Sequence, residues 1–252
     1  MSREGLLRAL SPEIEAEGGI SRPESLRERI YLDLRRRLQR SEIGPDDRLV
    51  DTEIAAAYGA SRMPAREALM RLVHEGYLKG STRGFVVPAL SLSDVLEIFE
   101  IRRLLEPRAA ALAARDLTEP AAAALSAALA EARAAESGGD VEALILANIA
   151  FRSAWLGAVR NARLAATIAR FADQVQAVRL ATLRDAATRR VVVAGLARLH
   201  EAFLRRDAVT AADRMAEFVA QAEAAFLALQ EAAAAGGRPA GARGSPGRSP
   251  RA

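Results

Sequence analysis

The chain contains no cysteine, and its 252 residues include two histidines and a single lysine, Lys79. The lack of cysteine excludes disulfides, thiolate zinc sites and cysteine nucleophiles, and makes a reducing cytoplasm the expected compartment. No apolar run reaches the length of a membrane span, and residues 1–20 carry four glutamates, unlike a signal peptide. We therefore expect a cytoplasmic protein without a membrane partner.

Sequence patterns of enzymes are also missing. A lysine Schiff base could form only at Lys79, which lies in a turn-like stretch. The chain has no Gly-x-Ser-x-Gly elbow and no glycine-rich phosphate loop, and His200-Glu201 lacks the second histidine of a zinc protease helix. His74 is more typical of a structural histidine. We expect neither enzymatic activity nor a cofactor.

The composition favours helices. Half of the residues are apolar, alanine is abundant and only 4% are aromatic, whereas strands draw heavily on aromatic and β-branched side chains. The sequence predicts a mainly α protein with enough apolar residues for two domains. We expect a flexible segment at 1–20 and a disordered basic tail at 236–252, because the tail has no large apolar side chain.

The N-terminal domain, expected at 21–88, begins with a predicted helix. Ser21 is a plausible cap and Pro23 lies in the first turn. Apolar residues then recur at every fourth position, at Leu26, Ile30, Leu34 and Leu38. Arginines cluster near the helix end, at Arg35, Arg36, Arg37 and Arg40, either as a solvated basic face or as phosphate contacts.

A helix-turn-helix is predicted next. A short helix at 53–57, capped by Asp51 or Thr52, breaks at a turn containing Gly59, and Ser61 caps a second helix that ends at Glu75-Gly76. In this motif the second helix enters the major groove N-terminus first. Arg62 and Arg66 are four residues apart, and arginine is suited to bidentate contact with guanine.

A hairpin follows at 77–88, with Lys79, Arg83 and Gly84 at its tip, where a glycine allows close approach to a phosphate or the minor groove. The predicted fold is a winged helix-turn-helix. The run Ser61-Arg62-x-Pro64-x-Arg66-Glu67-Ala68-Leu69, with flanking segments from Gly44 to Gly84, resembles the DNA-binding domain of GntR-type bacterial repressors.

The GntR resemblance implies operator contacts. The family contacts DNA at the positions of Ser61, Arg62, Arg66 and Gly84, and we add Lys79, Arg83 and Arg48 as candidates. The sequence departs from the family at Asp46, where a glycine is usual, although aspartate also tolerates turn conformations.

The sequence of the C-terminal domain, expected at 91–234, predicts an all-α helical bundle. The first predicted helix is capped by Ser91 or Ser93, and the next two start at Thr118 and Asp140. Three more helices are predicted over 162–184, 188–206 and 209–234. The stretch 96–106, with scattered later positions, resembles the FCD effector domain of the FadR subfamily. The resemblance implies dimerisation and a small-molecule effector.

The FCD pattern is altered at its metal site. Where many FCD domains have one aspartate and three histidines, this chain has Asn148, Arg152, Leu196 and Phe218. Leucine and phenylalanine cannot ligate a metal and arginine cannot lose its proton to do so, so we predict no FCD-type metal site. His200 lies one turn after Leu196 and stays a candidate, although a lone histidine is more often structural.

An effector carboxylate is the expected ligand. Arg152 would place a fixed positive charge where the relatives hold the ion, Asn148 lies one turn earlier, and Arg102 faces the cavity by the family pattern. The alternative for Arg152 is a solvent-exposed position or a pair with a structural acid.

The expected function is that of a ligand-responsive transcriptional regulator, more often a repressor in this family, which binds a near-palindromic operator as a homodimer. The alternative is an architectural DNA-binding protein whose helical domain only dimerises and binds no effector.

Overall fold

The computed structural model describes residues 25–40, 42–44 and 46–236, without the side chains of 176, 177, 180 and 234–236. The predicted segment 1–20, the predicted cap Ser21, and residues 237–252 of the predicted tail lie outside the described residues. The described chain is mainly helical with one small sheet, which confirms the predicted fold class.

The winged helix-turn-helix forms in the predicted order. Its helices are α1 (Leu26–Gln39), α2 (Asp51–Ala57) and α3 (Arg62–His74). Helix α1 is capped by Ser25, whose hydroxyl accepts a hydrogen bond from the Glu28 amide, and not by Ser21. The caps predicted for α2 are also wrong: Val50 holds the cap position, and Asp51 is the first helical residue.

The three-stranded sheet of the wing contains a strand that the sequence did not indicate. Strands β1 (Arg48–Leu49), β2 (Lys79–Ser81) and β3 (Gly84–Val86) are ordered β1-β3-β2, and both pairings are antiparallel. The segment before α2 is rich in glycine, proline and aspartate, a composition typical of a turn. Its two strand residues become a strand because β3 supplies their hydrogen-bond partners.

Two hydrophobic clusters stabilise the described chain. The first lies between α1, α2, α3 and the wing, and centres on Ile30, Leu34, Leu69 and Leu72, which are fully buried. The apolar residues that recur about once per turn in α1 therefore mark its buried face. This cluster fixes the side of α3 that stays exposed.

The C-terminal half is an all-helical bundle, as predicted. Its helices are α4 (Leu92–Arg115), α5 (Glu119–Gly138), α6 (Val141–Gly157), α7 (Ala162–Gln174), α8 (Gln176–Thr182), α9 (Ala186–Leu204) and α10 (Ala208–Gly236). Helix α4 packs along α10 and α5 along α6, around the second hydrophobic cluster. Among the described helices, none has both the length and the apolar character needed to cross a membrane.

The single helix predicted over 162–184 is wrong, because the chain turns at Val175 and forms α7 and α8. Asp173 and Val175 are both buried, although on one straight helix they would point about 200° apart. The turn lets both side chains reach the interior. The sequence has no glycine or proline at this point that would indicate a break.

We predict that Gly84→Ala lowers the free energy of unfolding of the wing by roughly 1 to 3 kcal/mol. Gly84 has a φ of +134°, and a Cβ there would collide with the Leu49 carbonyl oxygen of β1. Gly80→Ala is the matched control, because its Cβ would meet no atom within 4 Å. Hydrogen exchange of the amides at 48–49 and 84–86 measures the effect, and equal protection in both variants would contradict it.

Candidate functional site

The exposed side of α3 carries two of the predicted contact residues. Helix α3 buries Ala65, Ala68, Leu69 and Leu72, while Arg62 and Arg66 lie on the solvent side with side chains 62% and 58% exposed. Ser61 holds the cap position, but its hydroxyl caps no amide of the first turn. The tip of α3 therefore points two guanidinium groups outward.

Asp51 pairs with both arginines. Arg62 Nε donates to Asp51 Oδ2 at 2.9 Å, and Arg66 NH1 donates to the same oxygen at 3.4 Å. The Asp51 carboxylate is buried and connects both guanidinium groups to the first residue of α2. Because the bond from Arg62 uses Nε, its two terminal nitrogens still form a planar pair for an outside acceptor. The ion pairs orient the arginines and do not remove them from the surface.

The charge of Asp51 is stable. Burial acts to raise the pKa of its carboxyl, but the hydrogen bond from Arg62 and the charges of Arg62 and Arg66 outweigh burial and hold the pKa below its usual value. The folded-state pKa is thus depressed, so the ion pairs are complete above the unfolded-state pKa and are lost only as the pH falls through the lower folded-state value. At neutral pH both arginines stay oriented.

The wing carries three exposed cations, Arg48, Lys79 and Arg83. Val86 pairs with Arg48 on one side and with Lys79 on the other, so these two basic residues lie on the same face of the sheet. Arg83 is exposed in the turn between β2 and β3, next to Gly84. The wing therefore exposes two cations on the sheet and one in its turn.

The helical half contains a cavity of about 300 Å³. The four positions that correspond to the FCD metal ligands, Asn148, Arg152, Leu196 and Phe218, all line it, as does Arg102. His200 does not: its Nε2 is 2.8 Å from Ser126 Oγ, at the contact of α9 with α5. The structure therefore places His200 outside the candidate effector site.

The cavity wall does not fit a metal ion. Three of the four corresponding side chains have no ligating atom that could bind a cation, and the described residues contain no group of three His, Cys, Asp or Glu that could hold one. The ring of Phe218 packs closely over Gly195, where any Cβ would collide with it. An aromatic ring thus lies where the relatives place a ligand.

Three guanidinium groups border this cavity. Arg102 Nε donates to Glu106 Oε1 at 2.6 Å, and Arg152 NH2 donates to Asp173 Oδ1 at 2.7 Å. Arg179 on α8 also lines the cavity and donates from NH2 to the Ala172 carbonyl oxygen at 3.4 Å. The cavity lining therefore contains three arginines and one acid, Glu106, so the formal charge of its side chains is positive.

One buried nitrogen of this group lacks a partner. Arg152 NH1 is buried and makes no hydrogen bond to any residue that the structure describes. Burial is the main cause of the lowered pKa of Arg152, and burial followed by the charges of Arg152 and Arg102 holds the pKa of Arg179 well below its usual range. Because arginine keeps its proton in proteins, this unfavourable burial of charge favours binding of an anion.

Sequence reasoning missed the acids and one cation of these sites. The spacing of Arg102 and Glu106, four residues apart on a helix, is a signal that could have paired them. Arg179 follows the unpredicted helix break at Val175, so the apolar spacing of the predicted helix could not indicate where its side chain points. Asp51 and Asp173 act on residues of other elements, and no local pattern indicates this.

Each half of the chain matches a known family model. Residues 26–87 match the family model "Bacterial regulatory proteins, gntR family", and residues 97–221 match the FCD domain. The HTH-type transcriptional regulator McbR of Escherichia coli is 36% identical over 131 residues, which cover 52% of this chain and 59% of McbR. The Nta operon transcriptional regulator of Aminobacter aminovorans is 37% identical over 75 residues, covering 29% of this chain and 36% of that regulator.

Two further similarities extend the comparison. The gluconate operon transcriptional repressor of Bacillus subtilis is 36% identical over 78 residues, covering 31% of this chain and 32% of the repressor. The chain thus spans about a third to three fifths of the length of these relatives. The solved structure of E. coli McbR/YncC has a TM-score of 0.72 and 28% identity, and the match covers 82% of this chain and 99% of that one.

We predict that Asp51→Asn raises the affinity for random-sequence duplex DNA by about fivefold at low salt and lowers discrimination between sequences. One negative charge near a phosphate is worth about 1 kcal/mol in water, and its loss also frees the arginines from a fixed direction. Asp213→Asn on α10 makes the same charge change at an exposed site and is the control. Fluorescence anisotropy over a salt series measures both, and weaker binding by Asp51→Asn would refute the assignment.

Proposed function

Because the chain belongs to the GntR family of bacterial transcriptional regulators and carries an FCD domain, we propose that it is a carboxylate-responsive repressor that binds a near-palindromic operator as a homodimer. The observation that carries this proposal is the pair of oriented, exposed arginines at the tip of α3, on a chain that also holds a positively charged cavity. The members of this family are regulators and not enzymes.

The operator-binding surface is the tip of α3 together with the wing. Arg62 and Arg66 reach base edges in the major groove, where their terminal nitrogens match guanine O6 and N7. The other contacts go to the backbone or the minor groove and set the register, from Ser61, Arg48, Lys79, Arg83 and Gly84. In this assignment, residues 21–88 form the DNA-binding domain.

The effector site is the cavity of the domain at 91–234. The partnerless Arg152 NH1 and the nearby Arg179 favour an anionic group, and Asn148 and Arg102 lie in the same wall. The rest of the lining is largely apolar and includes Phe99, Phe151 and Trp155. A cavity of about 150 Å³ holds benzene, so one of about 300 Å³ holds a carboxylate with a small apolar or aromatic body.

The assembly and the direction of control follow from the same assignment. A two-fold dimer presents two copies of α3 to two half-sites, which makes the operator near-palindromic. Effector binding favours a state in which the two helices no longer match that spacing, so DNA is released. The gluconate operon regulator, similar over part of this chain, is described as a repressor.

The competing candidate is an architectural DNA-binding protein whose helical domain only dimerises. It binds mainly phosphates, shows little sequence preference and takes up no effector. The net positive cavity favours the ligand-responsive function, because burial of excess positive charge is unfavourable in a domain that only dimerises.

We predict that Arg62→Ala and Arg66→Ala each lower the free energy of operator binding by roughly 1 to 3 kcal/mol per guanine contact and relax the preference at that base pair. The operator is selected with the full-length protein from a random duplex pool. Arg214→Ala on α10, which removes an exposed arginine paired with Glu217, is the control. If neither α3 variant changes affinity or preference, the groove assignment is wrong.

We also predict that phenylacetate binds the cavity and that phenylacetamide, its neutral analogue, does not. Arg152→Met lowers the phenylacetate affinity by about tenfold or more, the effect of a hydrogen bond to a charged group. Trp155 is the only tryptophan and lines the cavity, so its fluorescence reports binding.

The control is Arg160→Met, which makes the same change at a side chain that is 84% exposed. Equal binding of acid and amide, or unchanged affinity in Arg152→Met, would disprove the carboxylate site.

A further inference from the structure

The end of α7 connects the effector cavity with the winged helix-turn-helix. Asp173 is buried and uses both carboxylate oxygens. Its Oδ1 accepts from Arg152 NH2 in the cavity wall, and its Oδ2 accepts three hydrogen bonds from the winged half: from Gln39 at 2.7 Å, Tyr77 at 2.9 Å and Arg35 at 3.2 Å. One carboxylate therefore connects the cavity wall with the winged half.

A second contact connects the same end of α7 with α3. Gln174 Nε2 donates to the carbonyl oxygen of Glu75, the residue that caps the C-terminus of α3, at 3.3 Å. Gly76 makes this approach possible, because a Cβ there would collide with the Gln174 amide and its φ is +80°. A displacement of α7 is thus transmitted directly to the end of α3.

The ligand and Asp173 share one guanidinium group. A carboxylate that binds Arg152 through its partnerless NH1 lies beside NH2, which already binds Asp173. Two carboxylates on neighbouring nitrogens of one guanidinium repel each other, and the repulsion is little screened in a buried site. The incoming anion therefore weakens the bond between Arg152 and Asp173.

We propose that Asp173 is the coupling residue between effector and operator: the effector carboxylate competes with it for Arg152, and Arg35, Gln39 and Tyr77 transmit the change to α3. This inference rests on the proposed effector site. Asp173 is a positioning residue, because it acts on DNA only through the residues that bind it.

The surroundings of Asp173 allow the required movement. A second cavity of about 590 Å³ lies between the two halves and is bordered by Gln39, Tyr77, Asp173 and Gln174. The end of α7 therefore borders empty space on the side of the winged half. Burial and then the charge of Asp173 raise the pKa of Tyr77, so its hydroxyl remains a neutral donor at physiological pH.

The test measures how strongly phenylacetate and DNA influence each other in the full-length protein. The operator Kd is determined with and without saturating phenylacetate, and the ratio of the two values is the coupling factor. Tyr77→Phe removes one hydrogen bond to Asp173 at a residue that does not line the effector cavity. Tyr58→Phe is the matched control, because it removes a tyrosine–aspartate hydrogen bond, to Asp33, within the winged half.

The coupling factor is expected to fall by roughly threefold to thirtyfold in Tyr77→Phe and in Gln39→Ala, and to stay at the wild-type value in Tyr58→Phe. The phenylacetate affinity of the DNA-free protein stays unchanged in all three variants. If phenylacetate binds and shifts the operator Kd equally in Tyr77→Phe and wild type, the coupling role of Asp173 is refuted while the proposed function stands.

A ligand-free measurement separates the two ideas. Arg152→Met removes the cavity partner of Asp173, so amide hydrogen exchange at 35–39 and 75–79 is expected to accelerate by about threefold or more, and Arg160→Met leaves it unchanged. Unchanged exchange in Arg152→Met overturns the coupling role even if no carboxylate binds. Faster exchange together with a failure of phenylacetate to bind supports the coupling and refutes only the proposed effector.

Discussion

The structure depends on how a few carboxylates are shared among many arginines. Asp173 accepts from two arginines, a glutamine and a tyrosine, and Asp51 accepts from two arginines. Because acids are scarce at these places, each carboxylate connects several elements. Loss of one partner leaves charge that is incompletely compensated, which is costly in a buried site. The two acids therefore hold together groups that would otherwise repel each other.

The two carboxylates perform different tasks because their surroundings differ. Asp51 lies beneath an exposed helix tip, so its partners remain accessible and are fixed in direction. Asp173 lies between the cavity wall and the winged half, and its partners are buried or partly buried, so a change in one partner alters the bonds of the others. The same kind of ion pair thus orients a surface in one place and connects two halves of the chain in the other.

Most of the fold could be predicted because its signals are local. Capping residues, apolar spacing and glycine turns indicate the helices and the wing within a few neighbouring positions. The strand β1 was missed because its two residues depend on β3, and the break at Val175 because no glycine or proline precedes it. The role of Asp173 could not be predicted, since its partners Arg35, Gln39 and Tyr77 lie 138, 134 and 96 residues away along the chain. The positions taken from the FCD pattern do meet in one cavity, but Arg179 was absent from that pattern.

The turn at Val175 has a consequence for how such a regulator can diversify. It separates α8, which contributes Arg179 to the proposed effector cavity, from α7, whose last residues contact the winged half. Substitutions on α8 can therefore alter which small molecule is recognised, while the contacts of α7 with the winged half stay unchanged. The residues that select the effector and the residues that contact the winged half can therefore vary independently, because they lie on two adjoining helices.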